Sequence, residues 1–422
     1  MASSDIVSAL ADLESPSASQ PNKPSGYNQL LQQILSSAHP QRLSSDLNAF
    51  IDSVLRDSLS IVAARPLLSS FVEALKTVVY TETKIEAGQH ALRMLQPRVV
   101  SFEEQDASIR EILADAYQER EDYIDAAKVL EGIQLNSSQR KISDYERVKT
   151  WIRICRLYLE EDDTTSAETY LNRAKTLLYK VEDREVNLMF QLSQARILDA
   201  RRRFLEASQA YHTFSFSTVL DEEERTRALS SAIICAVLAP AGPKRSRMLA
   251  KLYKDERASQ VEEYGILEKM FLDRLLSPTE VSKFADKLKP HQLAQTADGS
   301  TVLAKAVIEH NLLGASRLYE NIGTGELGVL LNLSAEKAEE YAARMLEQGR
   351  LTGRIDQIDG VIFFDGGEAS GEKTKAGQAD RVTGGDIRRW DSNVQGLAEE
   401  VERVTSLLQS QYPDFVAASL VH

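Results

Sequence analysis

The sequence predicts a mainly α protein: a right-handed solenoid of degenerate TPR- or HEAT-like helical repeats, then a winged-helix subdomain, then a long terminal helix. Three observations carry this. Apolar residues recur at helical spacing from Tyr27 onward, with no convincing strand before residue 354. A helix–turn–helix unit repeats itself in the first half of the chain. The stretch Gly323–Asp365 reads as two helices followed by two short strands around a tight turn.

Taken in order, residues 1–26 end in the Ser/Pro-rich run ESPSASQPNKPSG and read as a flexible lead-in. The helical-repeat array is assigned to 27–228. Leu30, Leu31, Ile34 and Leu35 form one apolar face, and Leu47, Phe50, Ile51, Val54 and Leu55 form another. Pro66 is read as the start of a further helix carrying Phe71, Leu75, Val78 and Val79. The repeat then emerges in AYQEREDYIDAAKVL, LYLEEDDTTSAETYL and ILDARRRFLEASQAY. Ala126, Ala167 and Ala207 fall at spacings of 41 and 40, and the same offsets align Tyr123, Thr164 and Phe204, then Leu130, Leu171 and Tyr211. The small alanine lets paired helices approach, and the large positions fill the gap between neighbours. One such hairpin cannot bury its own apolar face, so the units are expected to stack. A fourth unit around Lys84–Leu95 is weaker.

The next domain is assigned to 229–365, with the winged helix over about 300–365. Leu327, Val329, Leu330 and Leu331 belong to a short helix that stops at Asn332. Ser334 is placed to cap a second helix, although Lys337 stands where a capping box carries Glu or Gln. That helix sets Ala338, Tyr341, Ala342, Met345 and Leu346 on one side and ends at Gly349. Strands Arg354–Ile358 and Val361–Phe364 flank Asp359-Gly360, a tight-turn dipeptide. The glycine-rich segment 366–385 reads as a flexible loop. Over 386–412 comes a heptad pattern, Ile387, Trp390, Val394, Leu397, Val401, Val404 and Leu408, with a tail at 413–422. A helix of this kind is marginal alone and needs a groove or partner helices; docking on its own domain and docking on a neighbour both suit the tether.

Composition narrows the function. The net charge is −13, from 50 basic and 63 acidic residues, which removes the general attraction that drives phosphate-backbone binding. The second helix of the winged helix carries Glu336, Glu339, Glu340 and Glu347 against Lys337 and Arg344, the wrong sign for a recognition helix. Cys155 and Cys235 stand far apart in apolar helical patterns and read as buried thiols of a reducing compartment. Asp5, Asp12 and Glu14 argue against a secretory signal, and no run of about 18 apolar residues calls for a membrane span. Short basic clusters, Arg201–Arg203 and Lys244-Arg245-x-Arg247, read as solvated turns, with an acidic protein partner as the sharper alternative.

Motifs of catalysis are missing or fail in context. Gly323, Gly325 and Gly328 satisfy G-x-G-x-x-G, but the preceding Leu312–Asn321 reads as helix rather than strand, and Glu326 would face incoming phosphates. Gly366 and Gly371 resemble a phosphate loop, but Glu372 occupies the lysine position. The histidines His39, His90, His212, His291, His310 and His422 are scattered without HExxH or His-x-His, and His310 reads as structural or surface rather than a ligand. No cofactor, metal site or catalytic residue is expected.

The order of repeat array, winged helix and terminal helix resembles the PCI-domain family of assembly scaffolds, found in the proteasome lid, the COP-9 signalosome and a translation-initiation complex. The strings CAVLAPAGPKRSRMLAKLYKDER, EYGILEKMFLDRLL, PHQLAQTADGSTVLAKAVIEHNLLGASRLYENI and IDQIDGVIFF, between about Leu229 and Asp365, look like the subunit-four family of the COP-9 signalosome. The loop at 366–385 looks like an insertion relative to that pattern. The resemblance implies a non-catalytic scaffold and substrate-sensing subunit, in cytoplasm and nucleus, of a complex that removes Nedd8 from cullins of cullin–RING ligases. Its partners would be the other PCI subunits, the subunit holding the zinc isopeptidase site, and the ligase's cullin and RING subunits, with no nucleic acid and no membrane. The winged helix would join the ring of PCI domains, through Ile355, Ile358, Val361, Ile362, Phe363 and Phe364, with the strand around Val361–Phe364 offering an unpaired edge to a neighbour's sheet. The heptad Ile387–Leu408 would enter a shared helical bundle. The equivalent proteasome-lid subunit is the runner-up, and a DNA-binding winged-helix regulator and an enzyme are the other readings.

Overall fold

The computed structural model describes residues 3–14, 23–36, 40–56, 60–136, 141–295, 299–365 and 383–413. The chain divides into two compact units, 1–235 and 236–422.

The first unit is a run of antiparallel helices: α1 (Ser4–Glu14), α2 (Lys23–Ser36), α3 (Pro40–Val54), α4 (Ile61–Thr77), α5 (Thr81–Leu95), α6 (Glu103–Glu119), α7 (Tyr123–Glu131), α8 (Asp144–Glu160), α9 (Thr164–Leu177), α10 (Arg184–Ala200), α11 (Phe204–Phe214) and most of α12 (Glu222–Leu238). A single apolar core runs through it from Ile6 to Ile197. The hairpins α6–α7, α8–α9 and α10–α11 are the three repeats, and each second helix starts on the aligned residue Tyr123, Thr164 or Phe204. Ala126, Ala167 and Ala207 are all fully buried, as the close approach of paired helices requires.

The repeat also lives in the backbone. Glu121, Asp162 and Arg202 sit at left-handed φ of 65°, 57° and 60°. The following amides of Asp122, Asp163 and Arg203 donate back to the carbonyls of Tyr117, Tyr158 and Leu198 at 3.0, 3.0 and 2.9 Å. This closes the end of each first helix with a left-handed cap carried by a non-glycine residue. The α4–α5 connection lacks this turn: Val78 there has φ −63°, which is why a fourth repeat reads weakly.

Three expectations change in this unit. The lead-in 1–26 contains α1, whose Ile6 and Leu10 are buried; Ser3 anchors it through Asp46 and Glu14 pairs with Arg56. Apolar spacing over one and a half turns outweighed the Ser/Pro-rich run that follows, of which 15–22 lie outside the described residues. Pro66 does not open α4 but lies inside it, the start being Ile61 behind the Ser60 cap. The basic run at the third repeat is solvated yet paired, Arg201 with Glu168 and Arg203 with Glu206.

The second unit holds α13 (Pro243–Tyr253), α14 (Tyr264–Phe271), α15 (Pro278–Ala285), α16 (Val302–Leu318), β1 (Asn321–Gly323), α17 (Thr324–Leu331), α18 (Ala335–Glu347), β2 (Gly353–Asp356), β3 (Val361–Phe364) and α19 (Thr383–Gln411). The winged helix forms as expected. Asn332 at φ 56° ends α17, and the Ser334 side chain accepts from the Lys337 amide at the start of α18. Gly360 supplies the φ of 62° that the turn between β2 and β3 demands. At Gly353 a Cβ would collide with the Phe363 carbonyl, so only glycine fits where β2 meets β3.

The sheet differs from the sequence reading. It has three strands in the order β1-β3-β2, all antiparallel, because Asn321–Gly323 pairs with Val361–Phe363. Strand β1 is only three residues long, too short for alternation to reveal it. It lies directly before α17, so the G-x-G-x-x-G does follow a strand. The dinucleotide reading still fails: the sheet has no parallel pair, and the Glu326 carboxylate itself lies against Gly323.

Candidate subunit interface

Two surfaces were expected to meet other chains: the wing and the terminal helix. In the wing, β3 is the central strand, paired on one side to β1 and on the other to β2. Val361–Phe364 therefore has no free edge. The open edges belong to β1 and β2, a correction that follows from one three-residue strand. Alternation then sorts the six expected contact residues by face. Ile362 and Phe364 are buried in the winged-helix core with Ile322, Leu327, Ala338 and Met345, and half-buried Ile355 packs against the same cluster. These three hold the fold. Val361 and Phe363 point to the other face, half-buried, with the Arg354 guanidinium 4.7 Å from the centre of the Phe363 ring. Ile358, at the tip of the turn, is 97% exposed.

The structure adds residues that the sequence reading missed. Val329 on α17 is 84% exposed, and Leu318 and Tyr319, just before β1, are also exposed. Leu318 and Tyr319 line a groove of about 1080 Å³ together with Asn321, Arg354 and Phe363. The signal for Val329 was available: it lies half a turn away from the face formed by Leu327 and Leu331, where a core residue would not be placed.

The terminal helix α19 is 29 residues long. Trp390, Val394, Leu397, Val401, Val404 and Leu408 are all exposed, as is Leu407. The seventh expected residue, Ile387, has a side chain outside the described set, and 366–382 and 414–422, which carry most of the expected loop and tail, are outside it altogether. Residues 383–385, assigned to the loop, are already helical. A stripe of this length along one helix face has no counterpart elsewhere on the described surface.

The platform carrying both surfaces is tied together by a polar triplet on α16. Glu309, 2% exposed, accepts the Ala241 amide at 3.1 Å and is gripped by both guanidinium nitrogens of Arg350, which also donates to the Ala241 carbonyl. His310 Nε2 lies 2.9 Å from the Arg274 carbonyl. Asn311 clamps Leu276, accepting its amide at 2.9 Å and donating to its carbonyl. Arg245, expected on a solvated turn, is 3% exposed and donates to the Ala239 carbonyl. Burial lowers the Arg245 pKa to about 10, opposed by the charges of Glu309 and Asp273. Burial, then the Arg245 charge, lowers His310 to about 4, so its ring is neutral. Desolvation raises the Asp273 carboxyl, against the pull of Arg317 and Arg245. These groups serve architecture: each satisfies a backbone or a countercharge of the same unit.

Cys155 and Cys235 are buried and in no disulfide, and burial pushes the Cys155 thiol up to about 12. Among the described residues no group of three or more His, Cys, Asp or Glu is placed to hold a metal, and no helix is long and apolar enough to cross a membrane. Helix α18, read from the sequence as the wrong sign for a recognition helix, exposes Glu336, Glu340 and Glu347, while Arg344 is paired to Glu340.

A helical-repeat unit followed by a winged helix and a protruding amphipathic helix defines a PCI-type assembly scaffold. Residues 279–365 match the PCI domain family, and residues 5–223 match the family described as "PSMD12/CSN4, N-terminal". The chain is 59% identical over 413 residues to the COP9 signalosome complex subunit 4 of Emericella nidulans, covering 96% of this chain and 98% of that protein. Identity is 48% over 440 residues to the Neurospora crassa protein of the same name (100% and 99% covered) and 39% over 390 residues to that of Drosophila melanogaster (92% and 91%). The chain belongs to the COP9 signalosome complex subunit 4 family.

Proposed function

We propose that this protein is a non-catalytic scaffold subunit of a COP9 signalosome, acting through contacts of its second unit. The observation that carries the reading is α19: a long helix whose heptad face is exposed along its described length. Isolated in water such a face gains nothing from its own pattern, whereas in a bundle of helices the same residues interdigitate at a and d positions. The exposed Ile358, the half-buried Val361 and Phe363 and the open edges of β1 and β2 supply a second, smaller surface, suited to lateral contact with another winged helix. The complex would act on Nedd8-modified cullin–RING ligases in cytoplasm and nucleus, with the isopeptidase chemistry in another subunit and the repeat array as the arm towards the ligase. The acidic α18 favours protein partners over DNA.

Affinity capture of the tagged chain, with mass spectrometry of what it brings, tests this. Signalosome subunits, including a zinc isopeptidase, are the expected harvest; recovery of proteasome subunits instead would refute it. Leu397→Asp with Val401→Asp places two charges on the heptad face and is expected to lower co-purification of those subunits at least tenfold, since burying even one unpaired carboxylate costs several kcal/mol. The purified chain alone should not cleave Nedd8 from a cullin, and chelator-sensitive turnover by it would defeat the scaffold reading.

A further inference from the structure

The repeat array carries a groove that the assembly reading does not use. Its floor is one face of α8: Lys149, Ile152, Arg153, Arg156, Leu157 and Glu160, spaced so that all point the same way. Gln118 and Tyr123 form one wall, and Val186 and Met189 of α10 form the other. The cavity is about 210 Å³, and the face from Lys149 to Glu160 extends about 16 Å along the helix.

Only part of its positive charge is paired. Neighbouring helices of the array are joined by ion pairs: Arg120 at the end of α6 with Glu82 of α5, Arg153 of α8 with Asp115 of α6, and Arg196 of α10 with Glu160 of α8. Lys149 and Arg156 break the pattern. Both are exposed. The ammonium of Lys149 rests 5.8 Å from the Tyr145 ring centre, and the guanidinium of Arg156 touches the Met189 sulfur at 3.7 Å. Neither meets a carboxylate within ion-pair distance among the described residues. The acid nearest in the groove, Glu160, is taken by Arg196. In a chain of net charge −13, two cations left without carboxylates, two turns apart and flanked by the half-buried Tyr123 and Met189, mark a place for negative charge.

We propose that the α8 groove binds an acidic peptide segment, with one apolar side chain seated between α8 and α10 and carboxylates on Lys149 and Arg156. The half-buried Tyr123 and Met189 decide against a nucleic acid, whose phosphates would pair with the cations and leave those apolar side chains uncovered; among the described residues the groove also has no row of exposed aromatic rings for bases to stack on. A guanidinium offers a carboxylate a two-pronged contact, and Lys149 adds a point charge at the other end. The proposal does not depend on membership of any complex, because it concerns the chain by itself.

Fluorescence anisotropy of a fluorescein-labelled peptide Gly-Asp-Glu-Asp-Leu-Asp-Glu-Asp-Gly, titrated with the full chain, tests it. Saturable binding is expected, weakening about tenfold when salt rises from about 50 to about 300 mM. Lys149→Glu with Arg156→Glu should weaken binding at least tenfold, and the charge-reversed peptide with Lys at every acidic position should then bind the double variant better than the native chain. Replacing the peptide's leucine by serine should cost about fivefold. Circular dichroism checks that the variant is folded; if it is not, the single variants, each expected to lose about threefold, carry the comparison. Equal affinity of native chain and variant overturns the proposal, as does no saturation up to about 1 mM. An equal loss on Lys251→Glu, far along the chain, would reduce the effect to general charge, and tighter binding of single-stranded RNA than of the peptide would make the groove a nucleic-acid site; either result also overturns it.

Discussion

The repeat array and the winged-helix unit solve the same problem by opposite means. In the array, each hairpin repeats one local device: a left-handed cap at Glu121, Asp162 or Arg202, then a helix whose buried alanine lets its partner approach. Stability is spread over similar small units. In the second unit, one helix, α16, reaches three separated segments through Glu309, His310 and Asn311. There a few buried polar groups hold what periodicity does not. The difference teaches where each part will break: the array by degrees, the second unit at a point.

The largest effect is expected at that point. Glu309→Ala leaves Arg350 without its countercharge and the buried Arg245 with Asp273 alone, and breaking a buried pair from one side typically costs about 3–5 kcal/mol. Urea unfolding of the full chain should show an early transition confined to the second unit, seen as rapid proteolysis after residue 236, with the array intact. Loss of the array in the same step would erase the contrast. Smaller is Ala167→Leu, which forces a large side chain between α8 and α9. Overpacking of this kind costs about 1–3 kcal/mol, and hydrogen exchange should quicken in the α8–α9 hairpin more than in α4 and α5.

A pH effect sharpens the comparison. The His310 pKa is about 4 in the folded chain, against about 6.5 unfolded. The unfolded state therefore binds the extra proton first. Stability from this group is complete above about pH 6.5, falls as pH drops, and is lost by about pH 4, to the extent of about 3 kcal/mol. Asp273, raised by burial, opposes this slope at its lower end. Midpoints of urea unfolding for the second unit should fall between pH 6.5 and 4, and His310→Gln should flatten the curve. The array, with its own cores of alanine and leucine, should move less.

The smallest effect is at the repeat turns. Arg202 holds a φ of 60°, which costs a non-glycine residue up to about 1–2 kcal/mol. Glycine relieves that cost but frees the unfolded chain, so Arg202→Gly should raise the unfolding free energy, measured by urea titration, by no more than about 1 kcal/mol. Destabilisation on this change would mean that the Arg202 side chain, rather than the turn, holds the repeat.

Comparison of particular residues shows how far the sequence could be read. The starts of α7, α9 and α11 were legible because three aligned residues marked them. The Ser334 cap, the Asn332 stop and the Gly360 turn were legible because each is set by the conformational needs of one or two residues. The heptad of α19 was legible because a period needs no partner to be seen. The fate of the wing residues was not. Whether β3 has a free edge depends on β1, forty residues upstream and three residues long, and whether Ile362 faces a partner or a core depends on α17 and α18 packing against that face. Arg245 looked like surface because arginine usually is; its burial depends on its place in the folded second unit. Helix α1 was hidden by the composition of the residues behind it.

By itself, then, the sequence determined the helices, their repeat, the winged-helix order and the amphipathic character of the last helix, because these arise from side-chain periodicity and turn preferences within a few residues. Only the tertiary structure decided that β3 is central, that the Glu309–Arg350 pair and Ala241 meet across 41 and 68 residues of chain, and that Lys149 and Arg156 are left without the acids their neighbours have. Those facts come from long-range pairing, where one residue's environment is set by segments that carry no local trace of it.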